Sequence, residues 1–259
     1  MSITRAIPLT ARPPERIPWE ILGPQFVRAW GQPRGETMPE HLEILGQTGS
    51  GKSFFEKTVL MDRVRVRQSH VVLLATKPAD ATLTSMGWPV IDKWPPPYGK
   101  NQVIFWAKAS GLSKASQVEQ RKKIVDVLDR LWTPDSNRIV VFDEIAYLAT
   151  DLGLKTELTT YYRESRALGI TIVASTQRPQ GVPRWMHSES GWSVFFAPKD
   201  ASDAERMAEV AGNKRDYMPI LQSLDRTRFE FLMVRNLTGE KYISHVTKRK
   251  PKKASEPAK

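Results

Sequence analysis

The eight residues GQTGSGKS, positions 46–53, constrain this chain more than any other stretch of its sequence. Gly46, Gly51, Lys52 and Ser53 fit the pattern G-x-x-x-x-G-K-[ST] at every position. The apolar stretch HLEIL precedes the pattern and FFEKTVLMDRV follows it, so it lies between a predicted strand and a predicted helix. A glycine-rich turn in that setting points backbone N–H groups at phosphates, and the helix N-terminus adds partial positive charge. The sequence therefore predicts an α/β fold that binds a nucleoside triphosphate.

The cofactors expected from this pattern are ATP and Mg²⁺. Lys52 would bridge the β- and γ-phosphate oxygens, and the Ser53 hydroxyl would be a ligand of Mg²⁺. The predicted nucleotide-binding residues are Gly46, Gln47, Thr48, Gly49, Ser50, Gly51, Lys52 and Ser53.

The chain divides into three parts by composition. Residues 1–40 are rich in proline and contain one short helical candidate, WEILGPQFVRAW, which Gly23 and Pro24 interrupt, so we predict an irregular arm there. Over residues 41–246 strand and helix patterns alternate, which predicts one domain with a mostly parallel sheet, helices on both faces and a C-terminal β-hairpin. Residues 247–259 form a basic tail that we expect to be disordered.

The composition indicates a soluble protein with a polyanionic partner. The 39 basic and 28 acidic residues give a net charge of +11, and the tail's six basic and one acidic residues account for part of it. The tail either solubilises the chain or contacts phosphates without specificity. Absence of cysteine excludes disulfides and thiolate metal sites. No apolar run reaches the roughly 20 residues of a membrane-spanning helix, so we expect no membrane span and a cytoplasmic location.

Two adjacent carboxylates follow a predicted buried strand in the stretch RIVVFDE. Asp143 would lie at the carboxyl end of that strand and hold Mg²⁺, directly or through water. Glu144 could polarise the attacking water as a general base, or it could simply favour the start of the following helix. As a catalytic pair they point to the NTPase class in which an extra strand separates the phosphate-loop strand from the carboxylate strand.

Three more side chains are candidates for the hydrolytic site. Gln177 ends another predicted strand and could donate its amide to the γ-phosphate or to the attacking water. Arg163 and Arg166 lie three residues apart on a predicted helix, and one of them, with Arg166 preferred, could reach a neighbouring subunit's phosphates. The alternative for both arginines is an ordinary solvated helix face.

Together these segments resemble those of the HerA/FtsK superfamily of ring-forming DNA-pumping ATPases. The stretches HLEILGQTGSGKS, IVVFDE and RALGITIVASTQRP resemble the family's Walker A, Walker B and glutamine-sensor segments. The resemblance covers residues 41–200 and, more loosely, continues to 246. It implies a RecA-like (ASCE P-loop NTPase) core at 41–246, ATP hydrolysis between subunits and a multimeric ring around double-stranded DNA. The short chain further resembles the small genome-packaging ATPases of viruses and phages.

This resemblance makes an ATP-driven translocase of double-stranded DNA the leading hypothesis, acting in viral or phage genome packaging. The alternatives are a DNA-transfer motor of a mobile or conjugative element, and a nucleotide-dependent assembly or regulatory switch that moves no DNA. Expected partners are DNA, further copies of the chain in a pentameric or hexameric ring, and a portal or capsid vertex protein. The location would then be host cytoplasm, with possible capsid association. Candidate DNA contacts, each of which could instead be ordinary surface, are Lys77, Lys108, Lys114, Arg178 and Arg184.

Overall fold

A computed structural model describes residues 14–31, 39–77, 80–108, 111, 113–177 and 182–246 of the chain. Within them, ten strands form one sheet. The strands are β1 (Glu15–Arg16), β2 (His41–Leu45), β3 (His70–Ala75), β4 (Val90–Ile91), β5 (Gln102–Trp106), β6 (Arg138–Phe142), β7 (Ile170–Thr176), β8 (Ser190–Phe196), β9 (Glu230–Arg235) and β10 (Glu240–His245).

The sheet order is β1-β10-β9-β8-β2-β7-β6-β3-β5-β4. All neighbouring pairs are parallel except the two that involve β9, which is antiparallel to β8 and to β10. β9 and β10 form the predicted C-terminal hairpin. β7 lies between β2 and β6 and therefore separates the phosphate-loop strand from the carboxylate strand, as the Asp143–Glu144 pair predicted. The predicted mostly parallel α/β sheet is confirmed.

The helices of the described residues connect these strands. They are α1 (Trp19–Trp30), α2 (Lys52–Arg67), α3 (Ala81–Thr84), α4 (Lys114–Leu131), α5 (Ile145–Thr150), α6 (Lys155–Glu164), α7 (Arg184–Glu189), α8 (Ala201–Ala211) and α9 (Lys214–Gln222), with a 3-10 turn at Ser165–Leu168. None of them has the length and apolar character needed to cross a bilayer.

Alternation along the buried strands divides the apolar residues between the two faces of the sheet. On β2, Leu42 and Ile44 join a core with α1 and α2, whereas Leu45 faces the opposite side and packs with α8 and α9. On β3, Val72 and Leu74 face α4, α5 and α6 on that second side. The period of two along each strand thus produces the predicted helices on both faces.

The helical candidate at 19–30 does form a helix, but its predicted interruption at Gly23 and Pro24, and with it the irregular arm, is wrong there. α1 continues past Pro24 as one helix of 12 residues. Its buried face carries Trp19, Phe26 and Trp30, whose rings pack in the same core as α2 and the strand ends. Burial of large aromatic side chains contributes about 1.5–3 kcal/mol each, which offsets the roughly 3 kcal/mol cost of an internal proline. Gly23 helps, because a Cβ there would lie 2.7 Å from the Trp19 ring.

The proline-rich segment 87–101 before β5 contains β4 and so forms one edge of the sheet. Trp88 packs against the core on the α2 side, and Trp94 packs against the core on the α4 side. Tyr98 is fully exposed. Trp88 and Trp94 therefore contribute to the cores, and Tyr98 is the aromatic side chain of this segment that a portal or capsid vertex protein could contact.

Candidate nucleotide-binding site

The phosphate loop joins β2 to α2 in the conformation that its glycines allow. Gly49 and Gly51 have φ of +80° and +97°, in the left-handed region that favours glycine. At Gly46 the reason for glycine is close approach, since a Cβ would lie 2.7 Å from the Ser50 hydroxyl and 2.8 Å from the Phe196 Cβ. The Gly46 N–H donates to the Thr176 carbonyl at 3.1 Å, which anchors the loop to the end of β7.

A cavity of about 960 Å³ opens beside this loop. Gln47, Thr48, Gly49, Lys52 and Ser53 line it, so most of the predicted nucleotide-binding residues face one volume. Lys52, the first residue of α2, is 4% exposed. A buried cation at a helix N-terminus, with the helix's unpaired N–H groups beside it, forms a site suited to an anion.

Glu144 lies beside the phosphate loop and does not cap its own helix. It occupies the N-cap position of α5, yet its carboxylate makes no cap hydrogen bond there. Oε1 accepts a hydrogen bond from the Thr176 hydroxyl at 2.8 Å, and Oε2 accepts one from the Gln177 N–H at 3.1 Å. Burial raises the pKa of Glu144, while the hydrogen bond from Thr176 and the charge of Lys52 oppose the rise. The helix-capping alternative therefore does not account for its side chain.

Asp143 is buried at the end of β6 with one carboxylate oxygen paired and the other not. Oδ1 accepts a hydrogen bond from Lys77 Nζ at 3.1 Å, and the residue is 1% exposed. Oδ2 has no hydrogen-bond partner. Its carbonyl accepts a hydrogen bond from the Ser175 hydroxyl at 2.6 Å, which fixes it against β7. A buried, unpaired carboxylate oxygen normally requires a ligand.

These residues fit a magnesium ion. The free Oδ2 of Asp143 and the Ser53 hydroxyl supply the oxygen ligands that Mg²⁺ prefers. No group of three or more His, Asp or Glu side chains in the described residues could hold a metal ion without other ligands. Two protein ligands, Asp143 and Ser53, agree with the usual arrangement, in which Mg²⁺ takes its remaining ligands from phosphate and water.

Lys77, one of the candidate DNA contacts, lies at this site. Its amine lies 3.1 Å from Asp143 and 3.5 Å from Asp80 Oδ2. Burial lowers the pKa of Lys77, but the Asp143 and Asp80 carboxylates outweigh burial and raise it above its ordinary value. The amine also lines the nucleotide cavity. Lys77 therefore pairs with the carboxylates beside the phosphate loop.

Glu56 is a site residue that the sequence analysis missed. It lies one turn after Lys52 on α2, is 1% exposed, and neither carboxylate oxygen has a hydrogen-bond partner. Burial and the Asp143 carboxylate raise the pKa of Glu56 to about 8, with Lys52 opposing the rise. In the sequence it resembles any polar residue of an amphipathic helix, and only the fold brings it to Asp143.

Gln177 connects the phosphate loop to the carboxylate pair. Its Oε1 accepts a hydrogen bond from the Thr48 hydroxyl at 2.7 Å, and its backbone N–H contacts Glu144. The side chain also lines the cavity. The hydrogen bond from Thr48 to Oε1 therefore orients the side-chain amide of Gln177. Its position at the end of β7 agrees with the strand-end position predicted from the sequence.

The two candidate arginines lie at the other edge of the sheet. Arg163 is in α6 and Arg166 in the 3-10 turn, both before β7 begins, whereas the nucleotide site lies where β7 ends. Seven strand residues at roughly 3.3 Å each separate these edges by about 20 Å. Arg166 pairs with Glu189 at 3.1 Å, and Arg163 is exposed. Neither side chain can reach the nucleotide of its own chain.

The remaining predicted DNA contacts are distributed along the surface. Lys108, Lys114 and Arg184 are exposed. Lys108 follows β5 with its amine 5.5 Å from the Trp106 ring centroid, Lys114 begins α4, and Arg184 begins α7. Lys108 and Lys114 follow β5, next to the edge strand β4, whereas Arg184 lines a separate pocket with Asn236 and Gly239. Arg178 lies outside the described residues.

A second polar cluster, also missed from the sequence, occupies the amino half of β2. Glu43 is 1% exposed, and both of its oxygens are bonded, one to the Ser193 hydroxyl and one to His187 Nδ1 at 2.5 Å. At the start of the strand, His41 Nδ1 accepts from the Ile172 N–H at 3.0 Å, and Nε2 lies 3.1 Å from the Tyr162 carbonyl. Burial and the charge of Arg166 lower the pKa of His41 to about 3.

No protein-family model matches the sequence. A search of curated proteins finds no significant match. Solved structures do match. The genome packaging NTPase B204 from Sulfolobus turreted icosahedral virus 2, in complex with AMP, has a TM-score of 0.60 at 11% identity, over 81% of this chain and 98% of that chain.

Two bacterial structures share the arrangement. VirB4 of Thermoanaerobacter pseudethanolicus has a TM-score of 0.61 at 12% identity, over 81% of this chain and 90% of that chain. EssC (ATPases 2 and 3) from Geobacillus thermodenitrificans has a TM-score of 0.52 at 16% identity, over 82% of this chain and 41% of that chain. The chain therefore has the RecA-like fold of P-loop ATPases, and the resemblance inferred from its motifs is confirmed at the level of the fold.

Proposed function

We propose that this chain is an ATPase that hydrolyses ATP at the edge of the sheet where β2, β6 and β7 end. The observation that carries the proposal is the position of Glu144, held by Thr176 and Gln177 beside the phosphate loop instead of capping α5. A carboxylate with a raised pKa is the better proton acceptor for an attacking water. Burial among fixed hydrogen-bond donors also limits the reorganisation that proton transfer requires.

The other side chains take complementary roles. Lys52 neutralises charge on the transferring phosphoryl group, and Gln177 orients the water. Ser53 and the free oxygen of Asp143 would hold Mg²⁺, which when bound neutralises the charge that develops on the phosphate oxygens. Lys77 donates a hydrogen bond to the other oxygen of Asp143 and so orients that carboxylate.

The work driven by hydrolysis would be the movement of double-stranded DNA in viral or phage genome packaging. The match in fold to B204 spans 98% of that packaging NTPase. The net charge of +11 and the exposed Lys108, Lys114 and Arg184 favour a polyanionic partner whose phosphates are contacted without reading bases. A ring of several copies would enclose the DNA, and the exposed Tyr98 is available for a portal or capsid vertex protein.

Arg163 and Arg166 lie where only a neighbouring copy could bring them to a nucleotide. An arginine that completes a site in trans accelerates phosphoryl transfer by about 10³-fold or more. The ring predicts that Arg163→Ala and Arg166→Ala subunits, mixed with Glu144→Gln subunits, regain phosphate release, because each kind of subunit supplies what the other lacks. Absence of any recovery with both arginine variants would contradict hydrolysis between subunits.

The test of function is phosphate release by the purified protein with ATP and Mg²⁺, with and without linear double-stranded DNA. A DNA motor predicts strong stimulation by DNA that fades as salt rises. Heparin serves as a polyanion control. The Lys108→Ala/Lys114→Ala double variant should lose stimulation while keeping the basal rate, and Lys155→Ala, an exposed lysine at the start of another helix, should keep both.

Other outcomes would change the proposal. Phosphate release that is indifferent to DNA would favour the nucleotide-dependent switch and contradict a translocase. Equal stimulation by heparin and DNA would show a general polyanion effect. Stimulation that is specific to double-stranded DNA would leave packaging and conjugative transfer to be separated by identifying the docking partner.

A further inference from the structure

The cavity beside the phosphate loop is larger than the loop alone accounts for. At about 960 Å³ it reaches the upper range for pockets that enclose a whole small-molecule ligand. The loop and Lys52 line the end suited to phosphates. An aromatic end of the cavity, which adjoins the loop, is lined by side chains from α2 and from the ends of β8, β9 and β10, chiefly Phe54, Phe196, Phe229, Phe231, His245 and Val246.

Phe229 is unusual within this aromatic end. It is 46% exposed, one of the few large apolar side chains that the described residues leave open to solvent. Its φ is +55°, a left-handed conformation that is an outlier for a bulky residue and costs of order 1–3 kcal/mol. It also lies against the phosphate loop, since a Cβ on Gly51 would lie 3.2 Å from the Phe229 Cβ. The residue is therefore held in a strained backbone conformation, yet its ring is not used to fill the core.

The turn that carries Phe229 is rigid. Asp225 Oδ1 accepts hydrogen bonds from the Thr227 N–H at 2.8 Å and from its hydroxyl at 2.7 Å. Asp225 and Glu230 close the turn through a bond from the Glu230 N–H to the Asp225 carbonyl at 3.0 Å and one from the Asp225 N–H to Glu230 Oε2 at 2.9 Å. The Phe229 N–H donates to the Arg226 carbonyl at 3.2 Å. These bonds fix the backbone at Phe229 before any ligand arrives.

We propose that the Phe229 ring is a stacking platform for the purine base of the nucleotide whose phosphates the 46–53 loop binds. This inference rests on the proposed function and adds the recognition of the base to it. An exposed aromatic ring that is fixed beside a phosphate site supplies a flat apolar face, and bases stack on such faces whatever their edge groups. Since rings and aliphatic groups dominate this end, stacking area favours purines over pyrimidines.

The test is calorimetric titration of the full chain with two ligands: Mg²⁺–ATP, supplied as its β,γ-methylene analogue so that no turnover occurs, and Mg²⁺–tripolyphosphate, which has no base. Phe229→Gly removes the ring and relieves the positive φ, so the fold should not lose stability. We expect Phe229→Gly to weaken ATP binding about tenfold and to leave tripolyphosphate binding unchanged. Phe229→Tyr keeps the ring and should bind ATP as the wild type does.

The matched control is Leu237→Ala, which removes an 80% exposed apolar side chain from the turn between β9 and β10, outside the cavity. It should change neither titration. Unchanged ATP binding in Phe229→Gly would overturn the stacking role, and an equal loss of ATP and tripolyphosphate would show that Phe229 only supports the loop. Wild-type protein that binds ATP no tighter than tripolyphosphate would also overturn the inference while preserving the phosphate site. Binding of neither ligand would contradict the proposed function itself.

Discussion

The buried carboxylates near the two edges of the central sheet differ in how many of their oxygens have hydrogen-bond partners. At the carboxyl edge, the described structure leaves Asp143 Oδ2 and both oxygens of Glu56 without hydrogen-bond partners. In the amino half, both oxygens of Glu43 and both ring nitrogens of His41 have partners within the protein. A buried carboxylate oxygen left without a partner lowers stability, so a site that keeps several is expected to gain their partners from a ligand. Glu43, whose two oxygens are both bonded, instead contributes to stability.

The largest effect that this comparison predicts is at Lys52. Lys52→Ala should lower phosphate release by about 10³-fold, because a charge that stabilises the transferring phosphoryl group is removed. The measurement is phosphate release at saturating ATP, with Lys155→Ala as the exposed-lysine control. If Lys52→Ala keeps more than a tenth of the wild-type rate, the carboxyl edge is not where the phosphates bind.

The next largest effect is on stability between pH 4.5 and about pH 8 and comes from Glu56. The folded state keeps its proton up to a pKa of about 8, whereas the ordinary value is 4.5. Between these values the folded state binds more protons than the unfolded state. The free energy of unfolding therefore falls as pH rises, by about 1.4 kcal/mol per pH unit. Below pH 4.5 this contribution is fully present.

Urea unfolding of the nucleotide-free protein in EDTA, from pH 6 to pH 8, measures this slope. Glu56→Gln carries no titrating proton and should flatten it, with higher stability than the wild type at pH 8. If the stability of Glu56→Gln falls with pH as steeply as that of the wild type, Glu56 is not protonated in the folded state and its pKa is not raised.

His41 predicts the opposite pH dependence in the amino half. Its pKa is lowered from 6.5 to about 3, so the folded state resists protonation that the unfolded state accepts. Stability from this group is present above pH 6.5 and is lost as pH falls toward 3, again by about 1.4 kcal/mol per unit. Between pH 6.5 and pH 5 the loss is about 2 kcal/mol. His41→Gln, which can still donate and accept, should reduce that loss; an unchanged acid slope in urea unfolding would contradict the assignment.

The smallest predicted effect is that of changing Thr176, and it tests the role of Glu144. Thr176→Val removes the hydroxyl that donates to Glu144 Oε1 while keeping the side-chain shape. Losing one hydrogen bond to a charged group costs about 1.5 kcal/mol, so phosphate release should fall about tenfold. The acidic limb of the pH–rate profile should move to higher pH, because the lost hydrogen bond held the pKa of Glu144 down. A lower rate with an unmoved limb would indicate a structural role only.

Sequence patterns predicted the parts of the site that strand ends position. Asp143, Glu144 and Gln177 each follow an apolar run, and parallel strands bring their carboxyl ends to one edge. The patterns did not predict Glu56 or Phe229, because neither position carries a local signal. Glu56 depends on which helix face meets Asp143, and the contribution of Phe229 arises from a turn that only the tertiary structure brings to the phosphate loop.

The fold was predictable to a similar extent. Alternating strand and helix patterns predicted the order of the central elements along the chain. Pro24 led to the wrong prediction of an interrupted helix, because the packing of Trp19 and Trp30 outweighs the low helix propensity of proline. No pattern indicated α7 or α9. The Glu43–His187 bond joins positions 144 residues apart, which a single sequence cannot reveal.

The most direct test compares two buried glutamates, one from each edge. Glu144→Gln and Glu43→Gln make the same chemical change, and each should be assayed for ATP binding, phosphate release and melting temperature. We expect Glu144→Gln to bind ATP but to release phosphate at least about 100-fold more slowly than the wild type, with little change in melting temperature. Glu43→Gln should melt earlier yet keep the wild-type rate per folded molecule. Wild-type release by Glu144→Gln, or selective loss of release in Glu43→Gln, would contradict the division between a catalytic and a structural edge.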